Sequence, residues 1–272
     1  MSERVAVRKT YKLFIGGKFP RSESGRSYPV QNSNVALASR KDVRDAVVAA
    51  RAAVKGWSGT TAYNRGQILY RVAEMLEGRR DQFIALGEPA AEVDAAIDRW
   101  VWYAGWSDKL SQVYGGANPV AGPYFNLSAP EPTGVVGVIA PAEPSLLGLV
   151  SVVAPAIVTG NTVVALASEE RPLAPVTLAE VLATSDLPGG VVNLLTGRIA
   201  ETASWLAAHM DVNALDLTGV ADTELARQLE ETAAGNLKRV LRPSTPDWTA
   251  DPGIRRMTAF LETKTVWHPK GV

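Results

Sequence analysis

The chain has 272 residues, of which 46% are hydrophobic and 21% charged, with 28 basic and 28 acidic side chains and no cysteine. This is enough apolar material for one large domain or two small ones, and a formal charge of zero draws the protein to neither a nucleic acid nor an anionic membrane. The lack of cysteine excludes disulfides, thiolate nucleophiles and zinc–thiolate sites.

The opening "MSERVAVRKTYKLF" has no apolar signal core. The longest apolar stretch, "LLGLVSVVAPAIV", is broken by Gly148, Ser151 and Pro155 and is too short to span a bilayer. A cytoplasmic protein is expected. "YKLFIGGKFPRSESGRSYPV" alternates, turns at Gly16–Gly17 and alternates again, the pattern of a β-hairpin. In "SRKDVRDAVVAARAAVKGW", Ser39 caps a helix whose apolar face is Val43, Ala46, Val47 and Ala50. "AYNRGQILYRVAEMLEGRRDQFIAL" is predicted as a second amphipathic helix and "AAEVDAAIDRWVWYAGWSDKL" as a third. The third carries Trp100, Trp102, Tyr103 and Trp106, whose spacings of three and four suit a core stripe rather than a ring-binding box.

"GGANPVAGPYFNLSAPEP" is a Gly/Pro-punctuated extended segment. After it, short β-branched apolar runs alternate with helices. The runs are "TGVVGVIAP", "NTVVALAS", "GVVNLLTG" and "NALDLTG". The helices are "SLLGLVSVVAPAIVTG", "PLAPVTLAEVLATS", "AETASWLAAH" and "DTELARQLEETAAG". This is the βαβ repeat of a doubly wound parallel sheet, an α/β fold that places ligands at the carboxyl ends of its strands. "LKRVLRP" reads as one more strand. "RPSTPDWTADPG", with its three prolines, belongs to no sheet. It leads into a helix, "IRRMTAFLE", and a final strand, "FLETKTVWHP". In that strand Thr263, Thr265 and Trp267 point one way and Lys264, Val266 and His268 the other.

"PTGVVGVIAP", "APAIVTGNTVVALASEE", "DLPGGVVNLLTG", "HMDVNALDLTG" and "FLETKTVW", in this order, resemble motifs of the aldehyde dehydrogenase superfamily. The resemblance covers nearly the whole chain. It implies a Rossmann-like dinucleotide-binding domain over residues 1–241, with N-terminal helices and a β-hairpin arm at 114–131. It implies a Pro-rich linker at 242–253 where the family carries its catalytic domain. Residues 254–272 would then be a helix and the C-terminal strand of a small β oligomerisation element. By this analogy "TKTVWHP" pairs with "GPYFNLS", and Tyr124, Phe125, Val266 and Trp267 meet another subunit.

The family's chemistry needs a cysteine thiolate, an asparagine amide for the oxyanion and a glutamate base. This chain has no cysteine, Glu143 stands in the asparagine's place, and Arg242 or a neighbour stands in the region of the glutamate. His209, at a helix end, and His268, in the last strand, read as structural residues. Ser145 and Ser168 have no base visible beside them. Of the family's dinucleotide contacts, Ser168, Glu169, Thr218 and Gly219 match. Leu166 replaces the ribose-contacting lysine, and Val220 and Glu224 replace a serine and a glycine of the pyrophosphate loop. The matching residues also serve as ordinary turn and cap residues. NAD(P) binding is therefore expected to be degraded or lost. The expected role is that of a non-catalytic scaffold or regulatory subunit, self-associating or joined to a catalytic aldehyde dehydrogenase. The alternative is an NAD(P)-binding oxidoreductase component whose catalytic residues come from a partner. Intact periodicity in every element argues against a broken gene product.

Overall fold

Residues 8–39 wrap around a sheet that forms only later in the chain. The computed structural model describes residues 8–271. Residues 1–7, within the stretch that lacks a signal core, and Val272 lie outside it. Three short strands come first: β1 (Thr10–Tyr11), β2 (Ser27–Val30) and β3 (Ser33–Ala36). The expected hairpin is present only at its tip. Gly16 and Gly17 have φ of 60° and 77°, the left-handed pair that a tight two-residue turn requires, and Ile15 and Lys18 exchange backbone hydrogen bonds across it. The rest departs from the expectation. β2 pairs antiparallel with β3, and β1 pairs parallel with β3. Phe14 leaves the hairpin to exchange hydrogen bonds with Leu194, so part of the first alternating run covers a sheet edge elsewhere.

Helix α1 (Arg40–Gly59) starts with a reciprocal cap. The Ser39 hydroxyl accepts the Asp42 N–H, and the Asp42 carboxylate accepts the Ser39 N–H at 2.7 Å; such a cap contributes about 1 kcal/mol. Val43, Ala46, Val47 and Ala50 are fully buried. The expected second helix divides into α2 (Ala62–Glu77) and α3 (Arg80–Ala85). Gly78 and Arg79 close the first with N–H bonds to Glu74 and Leu76, and the redirected chain buries Phe83. Next are α4 (Ala90–Trp106) and α5 (Leu110–Tyr114). Trp100 and Tyr103 are core residues, with Trp102 and Trp106 packed at the core's margin.

The β-rich arm begins with β4 (Gly116–Asn118) and β5 (Tyr124–Pro132). Strands β6 (Val135–Ile139), β7 (Thr162–Leu166), β8 (Val192–Leu195), β9 (Ala214–Asp216) and β10 (Arg239–Leu241) alternate with α6 (Ser145–Val158), α7 (Leu173–Leu182), α8 (Ile199–Ala208) and α9 (Thr223–Ala234). The five strands form one parallel sheet in the order β10-β9-β6-β7-β8. Their apolar runs are uninterrupted because both faces are covered. α1, α8 and α9 pack on one face; α6 and α7 cover the other, with α2 and α4 outside them. α6 is buried on every side, which its nearly all-apolar sequence requires.

The chain ends with α10 (Arg255–Thr258), only four residues where a longer helix was expected, and β11 (Leu261–Pro269). β11 pairs antiparallel with β5 along its whole length, from Leu261 opposite Pro132 to Pro269 opposite Tyr124, so the pairing read from the sequence is present. Buried Asn161 holds the root of this arm. Its side-chain oxygen accepts the Gly134 N–H at 2.8 Å, and its amide donates to the Phe260 carbonyl at 2.9 Å.

Candidate functional site

The strand order reverses between β6 and β9, and the crevice at their carboxyl ends is where this kind of sheet takes a ligand. It forms a cleft of about 580 Å³ between the turn at Pro141–Glu143, the loop Thr218–Ala221 and the linker at Pro243–Trp248. A larger furrow of about 790 Å³ runs between α2 and α4 and includes no residue from the strand ends.

Thr218 and Gly219 follow β9 in this crevice. The Thr218 hydroxyl and N–H both donate to Asp216, at 2.5 and 2.9 Å. Gly219 is required by packing, since a Cβ there would lie 2.1 Å from the Ala140 carbonyl oxygen. Val220 turns into the core beneath the loop. Asp222 caps α9, its carboxylate accepting the N–H groups of Glu224 and Leu225 at 2.9 and 3.2 Å. Glu224 is exposed and held by Arg227 and Gln228, which lower its carboxyl to about 2.

Ser168 and Glu169 follow β7, on the other side of β6. The buried Ser168 hydroxyl accepts the Arg171 N–H at 3.1 Å. One Glu169 oxygen pairs with Arg198 at 2.5 Å, and the other accepts the Ile199 N–H at the start of α8 at 3.1 Å. Leu166, the last residue of β7, is buried and apolar.

The start of α6 is occupied in the same way. One Glu92 oxygen accepts the N–H groups of Leu146 and Leu147 at 3.1 and 3.2 Å. Beside it the Ser145 hydroxyl donates to Glu88 at 2.9 Å, and Arg171 bridges Glu88 and Glu143. Burial pushes the Glu88 carboxyl above the usual range and neighbouring Glu92 adds to this, while Ser145 and Arg171 pull it down. Ser145 thus meets a carboxylate but no imidazole. His209 follows α8 and accepts the Asp211 N–H, and His268 lies in the arm. Among the described residues no group of three or more His, Asp or Glu is placed to hold a metal ion.

The linker is docked. Arg99 of α4, nearly buried, donates to the carbonyls of Trp248 and Ala250 at 2.6 and 3.1 Å. Arg256 of α10 lies 5.4 Å from the Trp248 ring centre and donates to Asp216 at 2.9 Å and to Thr218 at 3.1 Å. Burial pushes the Asp216 carboxyl up, opposed by Arg256 and Thr218. The sequence reading missed Glu92, Arg99, Asp216, Asp222 and Arg256. Asp216 carried a signal, because a carboxylate ending an apolar strand needs a buried partner.

The expected contact residues lie on the arm. Tyr124 packs edge-on against Trp267, ring centres 5.8 Å apart, on one face. Phe125 and Val266 lie on the opposite face and are 55% and 46% exposed. Val266 and Trp267 therefore cannot be covered by a single flat contact.

The aldehyde dehydrogenase family profile matches residues 29–242. Cytosolic aldehyde dehydrogenase 1 of Elephantulus edwardii is 33% identical over 250 residues, covering 84% of this chain and 49% of the relative. Retinal dehydrogenase 2 of Homo sapiens is 33% identical over 253 residues, covering 85% and 48%. The solved NAD+ complex of an aldehyde dehydrogenase from Bacillus cereus superposes with a TM-score of 0.79 at 27% identity, covering 85% of this chain and 50% of that one. The chain spans about half the length of these relatives. No helix among the described residues is long and apolar enough to cross a membrane. The parallel sheet, its strand order and these likenesses agree, and the chain belongs to the aldehyde dehydrogenase family.

Proposed function

We propose that this chain is a non-catalytic member of its family, a cytoplasmic scaffold or regulatory subunit that associates with itself or with a catalytic aldehyde dehydrogenase. One observation carries the reading. Of the four helices that begin at the carboxyl edge of the sheet, three have first N–H groups that already bond protein carboxylates: Glu92 at α6, Glu169 at α8 and Asp222 at α9. Dinucleotide phosphates are held by such helix starts. A carboxylate already there takes up the donors and repels a second anion. The residues present do not fit a dinucleotide. The absence of cysteine removes the family's nucleophile. The linker 242–253, in place of a catalytic domain, lies across the crevice.

Calorimetric titration with NAD+ and NADH, together with an aldehyde panel, tests the reading. The expected outcome is no NADH formation above buffer and no binding at micromolar affinity. A dissociation constant at or below roughly one micromolar, about −8 kcal/mol, overturns it. That result would favour the alternative, an NAD(P)-binding component completed by a partner's catalytic residues, which the likeness to the NAD+-bound Bacillus cereus enzyme supports.

A further inference from the structure

A second concave surface lies apart from the crevice and shares no residue with it. It is a furrow of about 580 Å³ between the first turn of α1 and the last turn of α8, a volume ordinary for a small-molecule site. Arg44 follows Arg40 and Lys41 by four and three residues, and Ala208 and His209 follow Trp205 by three and four. Each set therefore shares a face of its helix. Buried Val43 lies at the floor, and the small Ala208 leaves room between Trp205 and His209. The positive start of α1 meets the negative end of α8 here, so the two helix dipoles oppose one another and the side chains set the charge. The lining carries three cations, an imidazole and an indole, and no carboxylate.

Each of these groups has something left to give. Among the described residues Arg40 has no carboxylate partner. Its guanidinium lies 4.4 Å from the Trp205 ring centre, and Trp205 is 44% exposed. Lys41 and Arg44 pair with Glu23 and Asp45, which are outside the lining, and both cations stay more than half exposed. The His209 Nδ1 accepts the Asp211 N–H at 3.2 Å, and burial lowers this imidazole below its ordinary value. The ring is therefore neutral near pH 7 with its proton on Nε2, a donor with no acceptor among the described residues. We propose that this furrow binds a small phosphomonoester carrying a flat ring. The ring stacks on the Trp205–Arg40 pair, and Lys41, Arg44 and the His209 Nε2–H hold the phosphate. A flat ring gains from an aromatic face whatever its substituents. A dianion rather than a monoanion matches a lining with several cations and no negative group.

Calorimetric titration of the full chain tests this with adenosine 5′-monophosphate, phenyl phosphate, adenosine and inorganic phosphate. At least one of the two ring phosphates is expected to bind one to one. Adenosine and inorganic phosphate are each expected to bind about tenfold more weakly or worse, since each lacks one half of the contact. Tighter binding of the adenosine monophosphate identifies a nucleotide as the source, and tighter binding of phenyl phosphate a simple aryl ester. Trp205→Ala and Arg44→Ala, both at exposed positions, are expected to fold with an unchanged thermal midpoint and to weaken the ring phosphate about tenfold or more. No binding of either ring phosphate at millimolar concentration overturns the proposal. Inorganic phosphate binding as tightly as the ring phosphates overturns the stacking, and full affinity in Trp205→Ala places the ligand elsewhere and overturns the site. The same variant separates this furrow from the crevice: any NAD+ heat that survives in Trp205→Ala bears on the dinucleotide reading above and not on this one.

Discussion

The parallel sheet and the arm are both built of short strands, but they meet water in opposite ways. Every residue of β6 and β7 is buried. β11 is exposed from Glu262 to Pro269, and most of β5 is exposed or half-buried. The sheet is held by side chains removed from water on both faces, at about 25 cal/mol per Å². The arm is held by backbone bonds, by the Lys264–Glu131 pair and by its root at Asn161 and Phe260. A small sheet of three strands, β4-β5-β11, with no apolar face packed on a core is marginal in water. Order in the arm is therefore imposed from the root.

Cutting the root should have the largest effect. Phe260 is 1% exposed, and Phe260→Ala is expected to cost about 3–5 kcal/mol. Urea unfolding reads the loss, and amide exchange should show the whole arm losing protection together. A loss below about 1 kcal/mol with an arm still protected would mean that the arm holds its own structure.

The Asp216–Arg256 pair is the sheet's counterpart. Asp216→Ala leaves a largely buried guanidinium unpaired and is expected to cost about 3 kcal/mol or more. Proteolysis within 242–253 should then rise. The paired change Asp216→Leu with Arg256→Met should cost less than the single one. Resistance to protease in Asp216→Ala would show that Arg99 alone holds the linker.

A smaller effect concerns pH. The folded Glu88 carboxyl binds its proton more tightly than in the unfolded chain, chiefly because it is buried. Between the ordinary glutamate value and the raised one, the folded state carries more of this proton, so this residue makes stability fall as pH rises. Its contribution is fully present below the unfolded value and is lost as pH passes the folded one. Glu88→Gln should remove that decline. Thermal midpoints of both proteins over roughly pH 4 to 8 check this, and parallel curves would rule it out.

The smallest effect on the monomer is expected in the arm. Leu127→Ser and Val266→Thr remove exposed apolar groups and should change unfolding free energy by less than about 0.5 kcal/mol. They sharpen the contrast with Phe260→Ala, which lies at the root of the same arm. A change above about 2 kcal/mol in either variant would mean that this face is already covered within the chain.

Periodicity made most of the elements legible. Ser39 and Asp42 lie three residues apart, so their reciprocal cap is local. The strands of the parallel sheet are recognisable because burial on both faces leaves no polar alternation. Period two alone sets Val266 and Trp267 on opposite faces of β11. What lay outside the sequence reading is what distant segments do to one another. Phe14 left its hairpin because the edge of β8 offered it hydrogen bonds. The second helix divided at Gly78 to bury Phe83. Glu92 reaches the start of α6 from 54 residues before Leu146, and Arg256 reaches Asp216 across 40. Residue type settles that a carboxylate or a guanidinium must find a partner when it is buried. Which partner it finds depends on the packing of the layers, because a buried charge is satisfied by whatever the fold brings within hydrogen-bond distance.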